Sequence, residues 1–308
     1  ILDSIRILSG TLAMYSGTKP RNITLKSTAT KTARVATVTG SIAYGAGQTV
    51  GPYGFIMERY IPARRAWRLI TAPLRDSSLT TPPYSPPSIS ACWQEGQTTS
   101  GSSPTTSTPG FGTLVTNGTS IASGYDAGVT TFPSLKYYDS ANNVWTAPPT
   151  TNSTTITSHQ GYMVFIKGDR TVPVTSTTPA VTVLRSRGAI LTGRRRALFA
   201  YSNNASDTKF RVVGNPYPSA INFHTTTKSP AIGDKYYMWD PQLGGQNGFG
   251  AYVTFLWNST NGNYDRTLTS GSGFAGSLSN NGTIESGSAF FIQMGTTTDS
   301  IIFNETDK

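Results

Sequence analysis

The sequence predicts an all-β fold: tandem antiparallel β-sandwich units of jelly-roll type, preceded by an N-terminal strand segment. Three observations carry that expectation. Apolar and polar residues alternate over short runs, as in Arg34-Val35-Ala36-Thr37-Val38-Thr39-Gly40-Ser41-Ile42, Val181-Thr182-Val183-Leu184 and Ala251-Tyr252-Val253-Thr254-Phe255-Leu256-Trp257, the two-residue period of a half-buried strand. Asn-Gly, Gly-Asp and Pro-Pro pairs separate the runs, and these dipeptides turn a chain. Nowhere does an apolar stripe recur at i, i+3, i+4, i+7 between helix caps.

In chain order, residues 1–45 read as strands rich in Thr, Ser and Ala, with too few bulky apolar residues to build a wide core alone. The opening Ile1-Leu2-Asp3-Ser4-Ile5-Arg6-Ile7-Leu8 alternates like a strand and suggests pairing with a neighbour through Ile1, Ile5 and Ile7. Residues 46–184 form a first sandwich unit and 185–308 a second. Pro82-Pro83 and Pro86-Pro87 mark a surface excursion, since paired prolines do not sit in central strands.

The division rests on an internal repeat. Trp67-Arg68-Leu69-Ile70-Thr71-Ala72-Pro73-Leu74 matches Phe210-Arg211-Val212-Val213-Gly214-Asn215-Pro216-Tyr217. Lys136-Tyr137-Tyr138 is echoed by Lys235-Tyr236-Tyr237, with Trp145 and Trp239 nearby. Ile156 to Phe165 is echoed by Ile284 to Gln293, which sets His159 opposite Gly287 and Gly161 opposite Ala289. A small residue at Gly161 or Ala289 suits a close approach of backbones.

Composition narrows the setting. Charged residues are 13% of the chain, about half the share in an ordinary soluble domain, and hydroxyls and amides take their place. One cysteine, Cys92, excludes an intramolecular disulfide and a cysteine zinc site; Ala91-Cys92-Trp93 reads as a strand with Cys92 a small buried hydrophobe. The chain begins at Ile1, without Met or a signal peptide, which reads as a processed or truncated piece. No apolar run is long enough for a membrane span. The net charge of +10 is densest at Arg64-Arg65 and Arg194-Arg195-Arg196. An anionic polysaccharide is the partner it suits, with solvated loop charge as the plainer reading and no motif for specific nucleic-acid recognition.

Several stretches together resemble a known class: Glu58-Arg59-Tyr60-Ile61-Pro62-Ala63, Trp67 to Pro73, Trp93-Gln94-Glu95-Gly96, Gly161 to Phe165, Val213-Gly214-Asn215-Pro216-Tyr217-Pro218 and Met238-Trp239-Asp240-Pro241. They are similar to β-rich segments of large Bacteroidota cell-surface proteins exported by the type IX secretion system. The resemblance implies an extracellular or cell-surface location. It also implies O-glycans on Asp-Ser/Thr followed by a small or aliphatic residue, which here points to Ser4, Ser140 and Ser300.

Catalytic readings find little support in the sequence. Neither histidine, His159 or His224, is accompanied by a nucleophile elbow. Glu58 and Glu95 are the acids best placed for sugar hydrolysis. Asp240 and Asp265 are the acids nearest to a structural calcium site, but no dense Asp/Asn/Gly loop surrounds them, so no cofactor is expected. Trp93 and Trp257 are candidates for stacking on a glycan. The expectation is therefore a non-enzymatic structural or assembly protein, a filament, sheath or stalk subunit that self-associates through strand edges. A carbohydrate-binding adhesin is the alternative, and a glycoside-acting enzyme comes third.

Overall fold

The computed structural model describes residues 3–16, 19–44, 54–75, 87–95, 108–117, 126, 132–151, 154–156, 159–173, 175–244, 248–268 and 281–308. The N-terminal segment holds β1 (Ser4–Ile7), β2 (Thr11–Ala13), β3 (Tyr15–Ser16), β4 (Lys19–Pro20), β5 (Asn22–Leu25), β6 (Arg34–Val38) and β7 (Ser41–Ala43). Then follow β8 (Gly54–Ile61), β9 (Ala66–Ile70), β10 (Leu74–Arg75), the one-turn helix α1 (Ile89–Cys92), β11 (Leu135–Asp139), β12 (Val144–Thr146), β13 (Tyr162–Ile166) and β14 (Thr182–Ile190). The last stretch holds β15 (Arg195–Phe199), β16 (Phe210–Gly214), β17 (Ile221–Asn222), β18 (Thr227–Lys228), β19 (Lys235–Asp240), β20 (Ala251–Asn258), β21 (Asn263–Leu268), β22 (Thr283–Ile284), β23 (Ala289–Gln293) and β24 (Asp299–Phe303). The fold is all-β and sandwich-like, as the alternation predicts.

Two stretches of chain lay down the same sheets. β12-β11-β13-β9 is one antiparallel sheet, and β20-β19-β23-β16 repeats its order with β21 added. β10-β14-β8 is likewise repeated by β18-β24-β15. Even the register is shared: Ile70 faces Tyr162 and Trp67 faces Phe165, while Val213 faces Phe290 and Phe210 faces Gln293. Two sequence readings need correction. The match of Lys136-Tyr137-Tyr138 with Lys235-Tyr236-Tyr237 is out of step by two residues. Lys136 faces Met163, whereas Tyr237 faces Phe291, the mate of Met163. The structural mates are Tyr138-Asp139 and Trp239-Asp240; a slip of two keeps each side chain on its face and leaves no trace in the alternation. Ala91-Cys92-Trp93 is not a strand either. Ser88 Oγ accepts from Ala91 N at 3.1 Å and caps a single helical turn there.

Both central sheets bury both faces. Ile70, Leu135, Tyr162, Val164 and Ile166 pack inward with Cys92, Trp93 and Leu184 in one core. Val213, Tyr236, Val253, Phe290 and Ile292 pack with Ala197, Ile301 and Phe303 in another. The opposite faces meet each other: Trp67, Leu69, Tyr138, Trp145 and Met163 lie against Phe210, Val212, Tyr237, Trp239, Tyr252 and Phe291. This contact has the character of a two-fold dimer interface, in which each patch meets its own equivalent. Thr71 N donates to Gly287 O and Gly214 N to His159 O, both at 2.9 Å, and the two bonds are mates in the repeat. Gly161 lies on Ala289, its own mate. A Cβ on Gly161 would sit 2.4 Å from Ala289 Cβ and from Val212 Cγ1.

The N-terminal segment adds a further core, with Ile7, Met14, Leu25, Val35 and Val38 around Phe55, Met57, Leu74 and Ile190. β5 extends the β8 sheet in parallel. The segment also reaches the last residues of the chain: Val38 N donates to Glu305 Oε2 at 2.8 Å, and Lys308 Nζ to Ala36 O at 3.4 Å.

Candidate functional site

The turn between β8 and β9, Pro62-Ala63-Arg64-Arg65, stands where the two sandwiches meet, and a cleft opens on each side of it. The first is a crevice of about 620 Å³, walled on one side by Arg59, Arg64 and Arg68 and on the other by Trp239, Gln242 and Glu285. Strand pairing fixes Arg59 on β8 and Arg68 on β9, while Arg64 reaches across the seam to donate to Gln242 O at 3.2 Å. Arg59 Nη1 donates at 3.0 Å both to Ser286 O and to Ser288 Oγ.

The crevice concentrates positive charge on one wall. Three guanidiniums and one carboxylate line it. Burial draws Arg68 down to about 10; Arg59 and Arg64 push the same way, and Asp240 opposes. Burial also draws Arg59 down to about 10, against the pull of Glu285. Both stay cationic at neutral pH. Arg68 is 7% exposed. Its Nη2 has a long contact to Pro62 O at 3.4 Å, and its Nε is buried with no hydrogen-bond partner, as is Arg64 Nε. Buried donors left unpaired cost free energy that an incoming acceptor returns.

The second cleft, about 390 Å³, is floored by rings: Trp67, Phe132, Phe165 and Phe249, with Arg65 and Lys167 at its edge. Trp67 and Phe249 come from opposite sides of the seam, joined by Trp67 N donating to Phe249 O at 3.3 Å. Phe165 packs on Trp67 with centroids 5.3 Å apart and on Phe249 at 5.4 Å. Phe132 is 77% exposed. Lys136 Nζ lies 5.3 Å from the centre of the Trp67 ring, and burial, then Arg65, lowers the Lys167 pKa. Asp169, the acid in this lining, is occupied by the fold: it accepts from Gly110 N at 2.6 Å and Thr171 N at 2.7 Å.

Neither tryptophan singled out from sequence belongs to these clefts. Trp93 is 2% exposed and edge-on to Tyr162 in the core, which removes it from any stacking role; an aromatic beside polar residues in sequence can still fill a core. Trp257 is half-buried, with His224 stacked 3.8 Å from it. Ile1 lies outside the described residues. Ile5 is half-buried on β1, and Ile7 is 8% exposed within the N-terminal core. β1 pairs in parallel with β6 of its own chain. Ser4 is exposed on β1; Ser140, in the β11–β12 turn, and Ser300, on β24, are half-buried. The acids of the last two triplets serve the fold, since Asp139 accepts from Ala141 N at 3.0 Å and Asp299 from Gly295 N at 2.7 Å.

The remaining titratable groups are also placed. Arg185 Nε donates to Glu95 Oε2 at 2.8 Å, and Glu58 accepts from Ser27 N at 3.2 Å. His159 has a left-handed backbone, φ 64°, matching Gly287 at φ 71°; burial and the nearby Arg195 lower its pKa to about 4. His224 Nδ1 is 2.9 Å from Asp234 Oδ2. Asp240 accepts from Gln242 N and Asp265 from Asn258 Nδ2, on different strands. Among the described residues no three His, Cys, Asp or Glu side chains gather as a metal site, and no helix is long and apolar enough to cross a membrane. Sequence reading picked out Arg64-Arg65 as a charge cluster but missed Arg59, Arg68, Phe132, Phe165 and Phe249, which only the seam brings together.

Residues 102–308 match the model of one family, described as a domain of unknown function (DUF8693), and the chain belongs to that family. The matched span begins after β8 and β9, so one wall of each cleft lies outside it. No curated protein and no solved structure matches the chain.

Proposed function

We propose that this member of the family is a non-enzymatic binding module of the cell surface whose ligand is an acidic polysaccharide, the adhesin reading of the sequence. One observation carries it: the Pro62–Arg65 turn is flanked by an arginine crevice and an aromatic groove, both spanning the seam. Rings offer the apolar faces of sugars a stacking surface, and guanidiniums pair with carboxylate or sulfate oxygens. The net charge of +10 draws a polyanion in from a distance. The resemblance of the sequence to secreted Bacteroidota surface proteins supports surface display.

Affinity electrophoresis tests this reading. Polygalacturonate or dextran sulfate in the gel should retard the protein, and uncharged dextran should not. Trp67→Ala and Phe132→Ala should each lose most of the retardation. Equal mobility in all three gels would defeat the proposal.

Self-assembly is the second reading. Its support is the edge of β1, which pairs on one side with β6 in a two-stranded sheet and leaves Leu8 58% exposed beside it. Ile7 belongs to a core, so deleting the strand is a poor test. Leu8→Lys, at an exposed position beside the edge, should instead leave folded monomers that no longer polymerise, as judged by electron microscopy.

A further inference from the structure

We infer that the arginine crevice is an oxyanion subsite created by a charge reversal between the two repeats, and that it takes the carboxylate or sulfate group of a sugar. The inference deepens the binding reading above and names the chemistry of one of its two clefts.

The second repeat shows a closed arrangement. Arg211 follows Phe210, and Asp207 stands three residues before that ring. Arg211 Nη1 donates to Asp207 Oδ1 at 2.9 Å and Nη2 to Asp207 Oδ2 at 2.8 Å, with a further bond from Nη2 to Ala200 O at 3.0 Å. The guanidinium is satisfied by a fork of two oxygens, the geometry it fits best. In the first repeat Arg68 follows Trp67 in the same register. Three residues before that ring stands Arg64, not an acid. At the same count from the ring, one unit has an acid that neutralises the motif arginine and the other has a second arginine.

Arg68 is therefore buried near the charge of Asp240 but without the forked bonds that Arg211 has, and both its Nε and that of Arg64 lack acceptors. Arg59 adds a third cation on the same wall. A carboxylate or sulfate entering between Arg64 and Arg68 supplies what Asp207 supplies to Arg211. The rest of the lining suits a sugar: Gln242, Asn281, Thr283 and Ser288 bring amides and hydroxyls, and Trp239 brings a ring. The crevice, about 620 Å³, has the size of a small-ligand cleft.

The test uses monomeric probes: methyl glucuronide for the carboxylate and glucose 6-sulfate for the sulfate, with methyl glucoside as the uncharged control. Calorimetric titration of the wild type should saturate with at least one of the charged sugars and not with the control. Arg64→Asp rebuilds the Asp207–Arg211 pair in the first repeat. It should melt no lower than the wild type and lose at least tenfold in affinity for the charged probe. Arg64→Gln removes the cation without adding the acid, and should lose affinity by a smaller factor. Preference for one probe identifies the oxyanion. Saturation by neither, or unchanged affinity in Arg64→Asp and Arg64→Gln, overturns the inference. If the monomers fail while polygalacturonate still retards the protein, the subsite falls and the binding reading stands. If the monomers bind and no polymer is retarded, the subsite stands and the polysaccharide reading falls.

Discussion

Arg68 and Arg211 hold the same place in two copies of one strand, and they differ in what answers their charge. Asp207 clamps Arg211 with two oxygens, at 2.9 and 2.8 Å. Arg68 feels the charge of buried Asp240 but has a single long contact, 3.4 Å to Pro62 O, and a buried Nε with no acceptor. The strands, the register and the preceding aromatic are common to both; the connection before them is not, running over residues 62–65 in one unit and 200–209 in the other, and three residues before the ring stands Arg64 where the other unit has Asp207. Duplicated architecture lets one copy keep a side chain for stability while its counterpart in the other is free for another role. It also separates the two roles experimentally, because each residue has a control in the opposite unit.

The largest expected effect breaks the closed pair. Asp207→Asn leaves Arg211 buried without its counter-charge and should cost about 3–5 kcal/mol in urea unfolding, the usual penalty for orphaning one half of a buried pair. Arg64→Asn, its mate, should change stability by no more than about 0.5 kcal/mol. Equal losses in the two units would erase the contrast.

Next in size is the contact the two units share. Gly161→Val drives new atoms into Ala289 and Val212, where a Cβ alone would already sit at 2.4 Å. The expected loss is about 1–3 kcal/mol, read as a lower urea midpoint.

A pH series sharpens the comparison of His159 with Gly287. The folded pKa of His159, about 4, is depressed below the ordinary histidine value of 6.5 by burial first and Arg195 second. The unfolded chain therefore binds the proton more readily than the folded one. Stability from this group is complete above about pH 6.5 and is lost as pH falls toward 4. Its size should be about 2 kcal/mol after allowance for partial exposure. His159→Asn, which tolerates the left-handed backbone, should flatten that part of the curve, and an unchanged slope would contradict the assignment.

The smallest effect is a control. Leu198 is 60% exposed on the outer face of β15, and Leu198→Ser should alter stability by less than about 0.5 kcal/mol.

The fold was legible in the sequence because alternation and turn dipeptides report on strands whose two faces differ in burial, as along β14 and β20. The repeat was legible where its residues face a core, as in Trp67-Arg68-Leu69-Ile70 and Phe210-Arg211-Val212-Val213. It was misaligned at the tyrosines, since Lys136 and Lys235 begin similar words two residues apart in register. α1 was read as a strand because four residues are too few to show a helical period. The clefts were hidden for another reason. Arg59 and Glu285, or Trp67 and Phe249, lie far apart in sequence and meet only when the two central sheets pack face to face. Trp93, one of the two rings that sequence offered for stacking, fills a core because nothing in Cys92-Trp93-Gln94 says which way a one-turn helix points.

The contrast between Arg68 and Arg211 can be observed directly by following the guanidinium Nε–H resonances during titration with methyl glucuronide or glucose 6-sulfate. The account predicts saturable shifts at Arg64 and Arg68 and a stationary signal at Arg211, whose oxygens are already supplied by Asp207. Shifts of equal size at Arg68 and Arg211, or none at Arg64 and Arg68 with either sugar, would contradict it.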